Sequence, residues 1–133
     1  MTKHEYIKKI CFVVAEKSSC EKSKVGAIFI NTEYEILSTG FNEAPSKFPH
    51  CQGKKSCIAA DGKCHETAHA EMNAIGQAAK NGVILKNSIL YCTRKPCSEC
   101  MKLLINIGIN EIRCSIVDEP INKYDTAIRI IQW

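Results

Sequence analysis

The chain has 133 residues, of which 45% are apolar and 24% charged, and its net charge is +4. This length suits a single domain, residues 1–133, with one core. No apolar run approaches the roughly 20 residues of a membrane span, and no apolar signal core follows the charged N-terminus. We therefore expect a cytoplasmic protein with no membrane partner. The basic residues are scattered, which disfavours nucleic acid as a partner.

In chain order, apolar residues at helical spacing predict a first helix over residues 2–18. Short β-branched runs predict strands over 25–30 and 35–41, paired as a hairpin. Residues 42–64 form a long loop rich in Pro, Gly, Lys and Cys, a kind of loop that is usually functional or pinned by something. An alanine-rich helix over 69–80 follows, and it ends at Asn81-Gly82.

The second half alternates strands and helices. A strand is predicted over 88–92, a helix over 97–106 that ends near Gly108, a strand over 111–117 and a last helix over 124–131. Strands that alternate with helices form parallel β-α-β units whose sheet is covered on both faces. The predicted fold class is therefore α/β, a three-layer α/β/α sandwich, with a mixed central sheet because the hairpin is antiparallel.

The nine cysteines favour metal chemistry over disulfide bonds. Their number is odd and the chain shows no export signal, so reduced thiols and zinc are the better interpretation. Cys11, Cys92 and Cys114 lie in apolar helix or strand contexts and are predicted to be small core residues.

The strongest chemical signal is a pair of short motifs, His-Ala-Glu at 69–71 and Pro-Cys-Ser-Glu-Cys at 96–100. His69, Cys97 and Cys100 offer one imidazole and two thiolates, and three protein ligands with one open position are what a catalytic zinc uses. Glu71 adds a carboxylate that can move a proton. Alone, Cys-x-x-Cys would equally fit a redox pair or half of a structural zinc site, but the separate His-x-Glu favours catalysis.

Both ligand groups are predicted to lie at helix N-termini. Free backbone N–H groups and the positive end of the helix dipole stabilise a thiolate there. Pro96 is well tolerated at a helix start, since its missing N–H would have had no partner. Two adjacent parallel strands would bring the two helix starts together at one edge of the sheet, where α/β proteins place their sites.

These motifs resemble the zinc-dependent cytidine and deoxycytidylate deaminase superfamily, whose signature they share. Further segments agree and make the deoxycytidylate (dCMP) deaminases the most similar branch: Lys-Val-Gly-Ala-Ile at 24–28, Ile-Leu-Ser-Thr-Gly-Phe-Asn at 36–42, Ala-Glu-Met-Asn-Ala-Ile at 70–75 and Leu-Tyr-Cys-Thr at 90–93. The resemblance implies a cytidine-deaminase-like fold and hydrolytic deamination of deoxycytidine monophosphate to deoxyuridine monophosphate and ammonia.

The resemblance also implies residue roles. His69, Cys97 and Cys100 would hold zinc and Glu71 would carry the proton. The implied substrate is a small pyrimidine deoxynucleotide, and the implied assembly is a homo-oligomer, often a hexamer in this family. Its contacts would be the backbone N–H of Ala70 with the pyrimidine carbonyl, Asn42 with the sugar and Lys24 with the phosphate; simple solubility is the alternative role for Lys24.

One position departs from the family. Glu43 stands where many members have glycine, and a carboxylate near a phosphate pocket opposes phosphate recognition.

Four thiols remain: Cys20, Cys51, Cys57 and Cys64. They could close a structural zinc site and pin the long loop. Family members with a second zinc near this region support this, and the positions of Cys20 and Cys51 match. The alternative is unmetallated surface thiols, and His50 or His65 could replace one of the sulfurs.

Two other functions are open at this point. One is a different deaminase of the superfamily, acting on transfer-RNA adenosine or on another cytosine nucleotide or nucleoside. The long cysteine-bearing loop and the lack of a strong basic surface count against the transfer-RNA branch. The other is a non-catalytic binding module stabilised by zinc, in which an unliganded carboxylate such as Glu71 would have no use.

Overall fold

The computed structural model describes residues 1–20, 22–48 and 67–133. The elements follow the predicted order except at the C-terminal end. They are α1 (Lys3–Ala15), β1 (Gly26–Ile30), β2 (Ile36–Phe41), α2 (Ala70–Lys80), β3 (Ile89–Arg94), α3 (Ser98–Ile107), β4 (Glu111–Ile116), a short 3₁₀ helix η1 (Lys123–Thr126) and β5 (Arg129–Gln132). Of the helices in these three ranges, none has the length and apolar character needed to span a bilayer.

The five strands form one mixed sheet in the order β2-β1-β3-β4-β5. β1 pairs antiparallel with both β2 and β3, which confirms the hairpin. β3 pairs with β4, and β4 with β5, in parallel. The α/β class and the mixed sheet are therefore confirmed.

One topological expectation is wrong. The helices that carry the predicted ligands were expected to follow two adjacent parallel strands. They follow β2 and β3, which run in the same direction but are separated by β1. The reason is the hairpin, because its first strand lies between its own partner and β3.

Helices cover both faces of the sheet, as the sandwich prediction requires. On one face, α1 buries Ile7 and Cys11 against Ile28, Ile30 and Tyr91. On the other face, α2 and α3 contribute Ala74, Ala78, Met101 and Leu104 to a larger core that includes Phe29, Leu90 and Ile112.

The predicted last helix over 124–131 is wrong. The chain forms only one 3₁₀ turn there, and β5 then extends the sheet beside β4. Ile128 and Ile130 both face the larger core, and this two-residue period is that of a strand. The β-branched residues of this stretch also favour a strand over a helix.

Two glycines allow helices to approach the hairpin closely. A Cβ at Gly26 would lie 2.4 Å from the carbonyl oxygen of Cys11 on α1. A Cβ at Gly40 would lie 2.4 Å from both the Ala70 oxygen and the Ala74 nitrogen on α2. These neighbours are backbone atoms, so a side chain at either position would push a whole helix away from the sheet.

We predict that Gly40→Ala destabilises the protein by about 1–3 kcal/mol, the usual range for overpacking a core. Gly76→Ala is the matched control on α2, because its added Cβ has nothing within 4 Å among the described residues beyond its own helix backbone and chain neighbours. Removing a glycine from a helix interior should stabilise the protein by about 0.5–1 kcal/mol. Urea unfolding measures both changes, and equal effects of the two substitutions would contradict the close approach.

Candidate active site

The site lies at the end of the sheet where β2 and β3 finish. His69 is the residue immediately before α2, and Cys97 is the residue immediately before α3. Both have extended backbone conformations typical of helix N-caps, with no side-chain capping hydrogen bond. The prediction that both ligand groups lie at helix N-termini is confirmed.

His69, Cys97 and Cys100 converge on one point. The Nδ1 atom of His69 lies 3.5 Å from the Cys97 Sγ and 3.4 Å from the Cys100 Sγ. The three donor atoms all lie within 4.8 Å of one another, and they form the only such group among the residues that the structure describes. Zn–N bonds of about 2.0–2.1 Å and Zn–S bonds of about 2.3 Å give a tetrahedral N···S edge of about 3.5 Å. The donor set therefore fits zinc in both chemistry and size.

The electrostatics of the two thiols also suit a metal. Interaction with the Cys100 side chain, with a smaller contribution from His69, lowers the pKa of Cys97 to about 3. The same interaction, together with burial, raises the pKa of Cys100. A bound cation would favour the thiolate form of both residues.

The imidazole of His69 lies among negative charges. The hydrogen bond with Cys97 raises the pKa of His69, against the opposing effect of burial, and the charges of Glu71 and Glu119 raise it further. Glu119 belongs to the stretch after β4. No sequence motif singled out that stretch.

Glu71 lies in the first turn of α2 and is only 4% exposed. Its Oε2 accepts a hydrogen bond from the Cys100 thiol at 3.5 Å, so the carboxylate lies beside the metal ligands. Burial raises the pKa of Glu71. A buried carboxyl beside the metal donors is the kind of group that accepts and returns a proton in acid–base catalysis.

The predicted substrate contacts surround the same end of the sheet. Ala70 is the first residue of α2, so its N–H has no partner within the helix. Asn42 follows β2, where its Oδ1 accepts from the Val25 N–H at 2.8 Å and its Nδ2 donates to the Ser23 carbonyl at 2.7 Å. Lys24 is exposed and lies between Ser23 and Val25 in the chain.

Glu43 is buried and its carboxylate is already engaged. It accepts from the Ser19 hydroxyl at 2.8 Å, the Ser19 N–H at 3.2 Å and the Ala44 N–H at 3.1 Å. Its backbone pairs with Ala68, next to His69. The residue that departs from the family pattern thus joins the stretch after α1 to the start of α2.

Sequence reasoning gave no role to two further polar side chains that hold this end of the sheet together. Asn73, one turn after His69, donates to the Phe41 carbonyl at 2.7 Å. The Ser18 hydroxyl donates to the Asn42 carbonyl at 2.6 Å. Asn73 stands inside the 70–75 motif, and that position was the signal that could have identified it.

The remaining cysteines divide as expected where they are described. Cys11, Cys92 and Cys114 are fully buried, which confirms them as core residues. Cys20 is buried with a free thiol. The other members of the predicted second zinc site, Cys51, Cys57 and Cys64, lie outside the described residues, as do His50 and His65.

One nitrogen and two sulfur ligands beside a buried carboxyl define a catalytic type of zinc site. Comparison with known proteins agrees with this class. Residues 1–116 match the family model for the cytidine and deoxycytidylate deaminase zinc-binding region. The chain therefore belongs to the cytidine and deoxycytidylate deaminase family.

Individual relatives place the chain within this family. It is 34% identical over 113 residues to human deoxycytidylate deaminase, covering 81% of this chain and 61% of that protein. It is 32% identical over 109 residues to ComE operon protein 2 of Bacillus subtilis, covering 82% of this chain and 57% of that protein. The chain thus spans about three fifths of the length of these curated relatives.

A solved structure matches nearly end to end. The dCMP deaminase of cyanophage S-TIM5, in complex with dCMP and dUMP, superposes with a TM-score of 0.81 at 27% identity, covering 98% of this chain and 96% of that one. This likeness confirms the cytidine-deaminase-like fold.

We predict that Cys97→Ser removes zinc from the His69/Cys97/Cys100 centre, because a hydroxyl is a far weaker zinc ligand than a thiolate. Cys11→Ala is the matched control, because Cys11 belongs to α1, which covers the opposite face of the sheet. Metal analysis after dialysis should show one zinc fewer per chain for Cys97→Ser and no loss for Cys11→Ala. Unchanged zinc content in Cys97→Ser would exclude this centre.

Proposed function

We propose that this chain catalyses the zinc-dependent hydrolytic deamination of deoxycytidine monophosphate to deoxyuridine monophosphate and ammonia. The observation that carries the proposal is the buried carboxyl of Glu71 beside a three-donor metal centre. The names of the relatives and the nucleotides in the cyanophage complex support the same substrate.

The protein residues have distinct tasks in this reaction. His69, Cys97 and Cys100 would hold the zinc, which would supply a Lewis acid that makes water nucleophilic at neutral pH. Glu71 would take one proton from the attacking water and deliver it to the ring nitrogen as the oxygen adds to the amidine carbon. It would then move the second proton, from the added hydroxyl, to the amino group, so that the C–N bond breaks and ammonia leaves.

Other residues would orient the nucleotide. The Ala70 N–H would bind the pyrimidine carbonyl, and the side-chain amide of Asn42 would bind the sugar. Lys24 is exposed beside Asn42 and offers a positive charge to the phosphate. The bonds of Glu43 with Ser19 satisfy much of its carboxylate, which reduces its opposition to that phosphate.

A non-catalytic zinc module is less well supported. A carboxyl that is 4% exposed and lies beside thiol ligands is costly for a purely structural centre, because burial of the charged form is unfavourable. Proton transfer gives this residue a use.

We predict that Glu71→Gln lowers turnover by a factor of about 10²–10⁴, the typical contribution of a positioned acid–base group. The substitution keeps the size of the side chain and removes no zinc ligand, so zinc content should stay constant. Glu99→Gln is the control, since Glu99 is an exposed carboxylate on α3 that pairs with Lys102. Steady-state ammonia release measures both variants, and normal turnover in Glu71→Gln would refute the mechanism.

We predict that the monophosphate is used at least about tenfold better than deoxycytidine if Lys24 binds the phosphate, because a charged hydrogen bond contributes about 1.5–3 kcal/mol. Lys24→Ala should narrow this ratio of kcat/KM values. Lys80→Ala, at the far end of α2 from His69, should not. Equal use of nucleoside and monophosphate by the unmutated protein would instead indicate a nucleoside deaminase.

We also propose a second, structural zinc held by Cys20, Cys51, Cys57 and Cys64, with His50 or His65 as a substitute ligand. Its support is chemical: four thiols have no other assigned role, and Cys20 is a free thiol near the start of β1. Such a centre would tie the long loop to the substrate side of the site.

We predict close to two zinc ions per chain in protein purified without chelators. Cys51→Ser should remove one of them and lower the melting temperature, since binding energy at a structural zinc site is folding energy. The His69/Cys97/Cys100 zinc should remain. A single zinc per unmutated chain, with these four thiols open to alkylation, would refute the second centre.

Residues 1–133 would form one deaminase domain, because a single sheet joins both core clusters. Six free cysteines among the described residues suit the reducing cytoplasm.

We also expect the chain to assemble into a homo-oligomer, with a hexamer as one form of it. Exposed apolar side chains on α1, namely Tyr6, Phe12 and Val13, support association.

A further inference from the structure

The stretch from Val117 to Ala127, here called the 117–127 segment, connects β4 to β5 and contacts Lys95, which stands two residues before the candidate ligand Cys97. Two of its apolar side chains pack little, since Val117 is 46% exposed and Ile121 is 93% exposed, whereas Tyr124 packs against the larger core. Its residues also line an open cavity of about 600 Å³.

Lys95 is the strongest polar anchor of this segment among the described residues. Its side chain is only 3% exposed, and its Nζ lies 2.7 Å from Asp125 Oδ2 and 3.4 Å from the Pro120 carbonyl oxygen. Its backbone N–H donates to the Ile116 carbonyl at 2.7 Å. Lys95 stands two residues before Cys97, so one residue contacts both the segment and the turn that carries a ligand.

Asp125 extends the same connection into η1. Its Oδ2 also accepts from the Asn122 N–H at 3.1 Å, which closes the capping box of that short helix. Its Oδ1 is buried and has no hydrogen-bond partner among the described residues.

This arrangement is poorly suited to stability alone. Desolvation offsets most of the attraction within a buried ion pair, and a buried unpaired oxygen adds a cost. An apolar pair of similar volume would stabilise the fold at least as well. The presence of a buried Lys95–Asp125 ion pair is better explained by the position that it imposes on the 117–127 segment than by a gain in stability.

We propose that Lys95 is a positioning residue whose ion pair with Asp125 fixes the 117–127 segment against the Cys97 turn and thereby sets one wall of the nucleotide site. The fixed segment is a property of the fold, whereas its effect on the nucleotide rests on the proposed deaminase function. The two parts therefore need separate measurements.

The test compares Lys95→Met and Asp125→Asn with the control Lys80→Met. Lys80 is an exposed lysine in the last turn of α2, on a different element from the 117–127 segment. Substitutions at exposed positions of this kind have small effects. Hydrogen exchange measured without substrate reports the segment, and steady-state kinetics with deoxycytidine monophosphate report the site.

In both Lys95→Met and Asp125→Asn, amide exchange across 117–127 should be at least about tenfold faster, with α1 and β1 unchanged. KM should rise about tenfold, the ratio that corresponds to 1.4 kcal/mol, with kcat within about twofold. Lys80→Met should change neither quantity. Wild-type exchange across the segment in either variant would overturn the proposal.

The double variant Lys95→Met/Asp125→Leu separates position from stability. It should recover the melting temperature, because the apolar pair avoids desolvation, while KM stays raised and the segment still exchanges faster. Recovery of all three quantities would show that the pair acts through stability alone and would overturn the proposal. If the unmutated protein released no ammonia, the proposed function would fail, and the exchange measurements would still decide the structural part.

Discussion

The candidate site depends on the meeting of two helix N-termini at one end of the sheet. β2 and β3 run in the same direction, and each is followed in the chain by a helix whose first residues carry metal donors. The pairing of β1 between them sets the spacing of the two helices. Gly40 then lets α2 lie directly on the hairpin, since its missing side chain leaves room for the backbone at Ala70 and Ala74. A small backbone feature thus determines where His69 and Glu71 lie.

The same end of the sheet gathers several costly groups. Glu71 is buried beside thiols, and Glu43 is buried at the position where many family members have glycine. Each has an observed hydrogen bond: Glu71 with Cys100, and Glu43 with Ser19 and Ala44. Buried polar groups are tolerated when they are satisfied, and their raised sensitivity to geometry makes them suited to functional sites. The backbone pairing of Glu43 with Ala68 also transmits the position of the stretch after α1 to the start of α2.

The sequence predicted most of the fold because its local signals agreed. Apolar spacing, the turn at Asn81-Gly82 and the glycine after α3 all indicated the observed elements, and the zinc motif indicated three residues that the structure brings within 4.8 Å. The last helix failed because a few residues of mixed pattern cannot show that a neighbouring strand, β4, is available for pairing. The expectation that the two ligand-bearing helices follow adjacent parallel strands was wrong for a similar reason, since pairing between distant strands leaves no local signal in the sequence.

Side chains that act across the fold were also beyond prediction. Asn73 bonds to the carbonyl of Phe41, and Lys95 bonds to Asp125, partners about 30 residues away in each case. In the sequence, Lys95 is one lysine among many, and only its burial distinguishes it. The Cys/His cluster of the long loop remains a prediction, because most of its members lie outside the described residues.

The central claim is that His69, Cys97 and Cys100 hold a zinc ion whose fourth position is open to water. A crystal structure with anomalous diffraction measured on both sides of the zinc edge tests it most directly. The account predicts a zinc peak about 2.0–2.1 Å from His69 Nδ1 and about 2.3 Å from both sulfurs, with a solvent molecule as the fourth ligand. No zinc within this triangle, or a protein side chain in the fourth position, would contradict it.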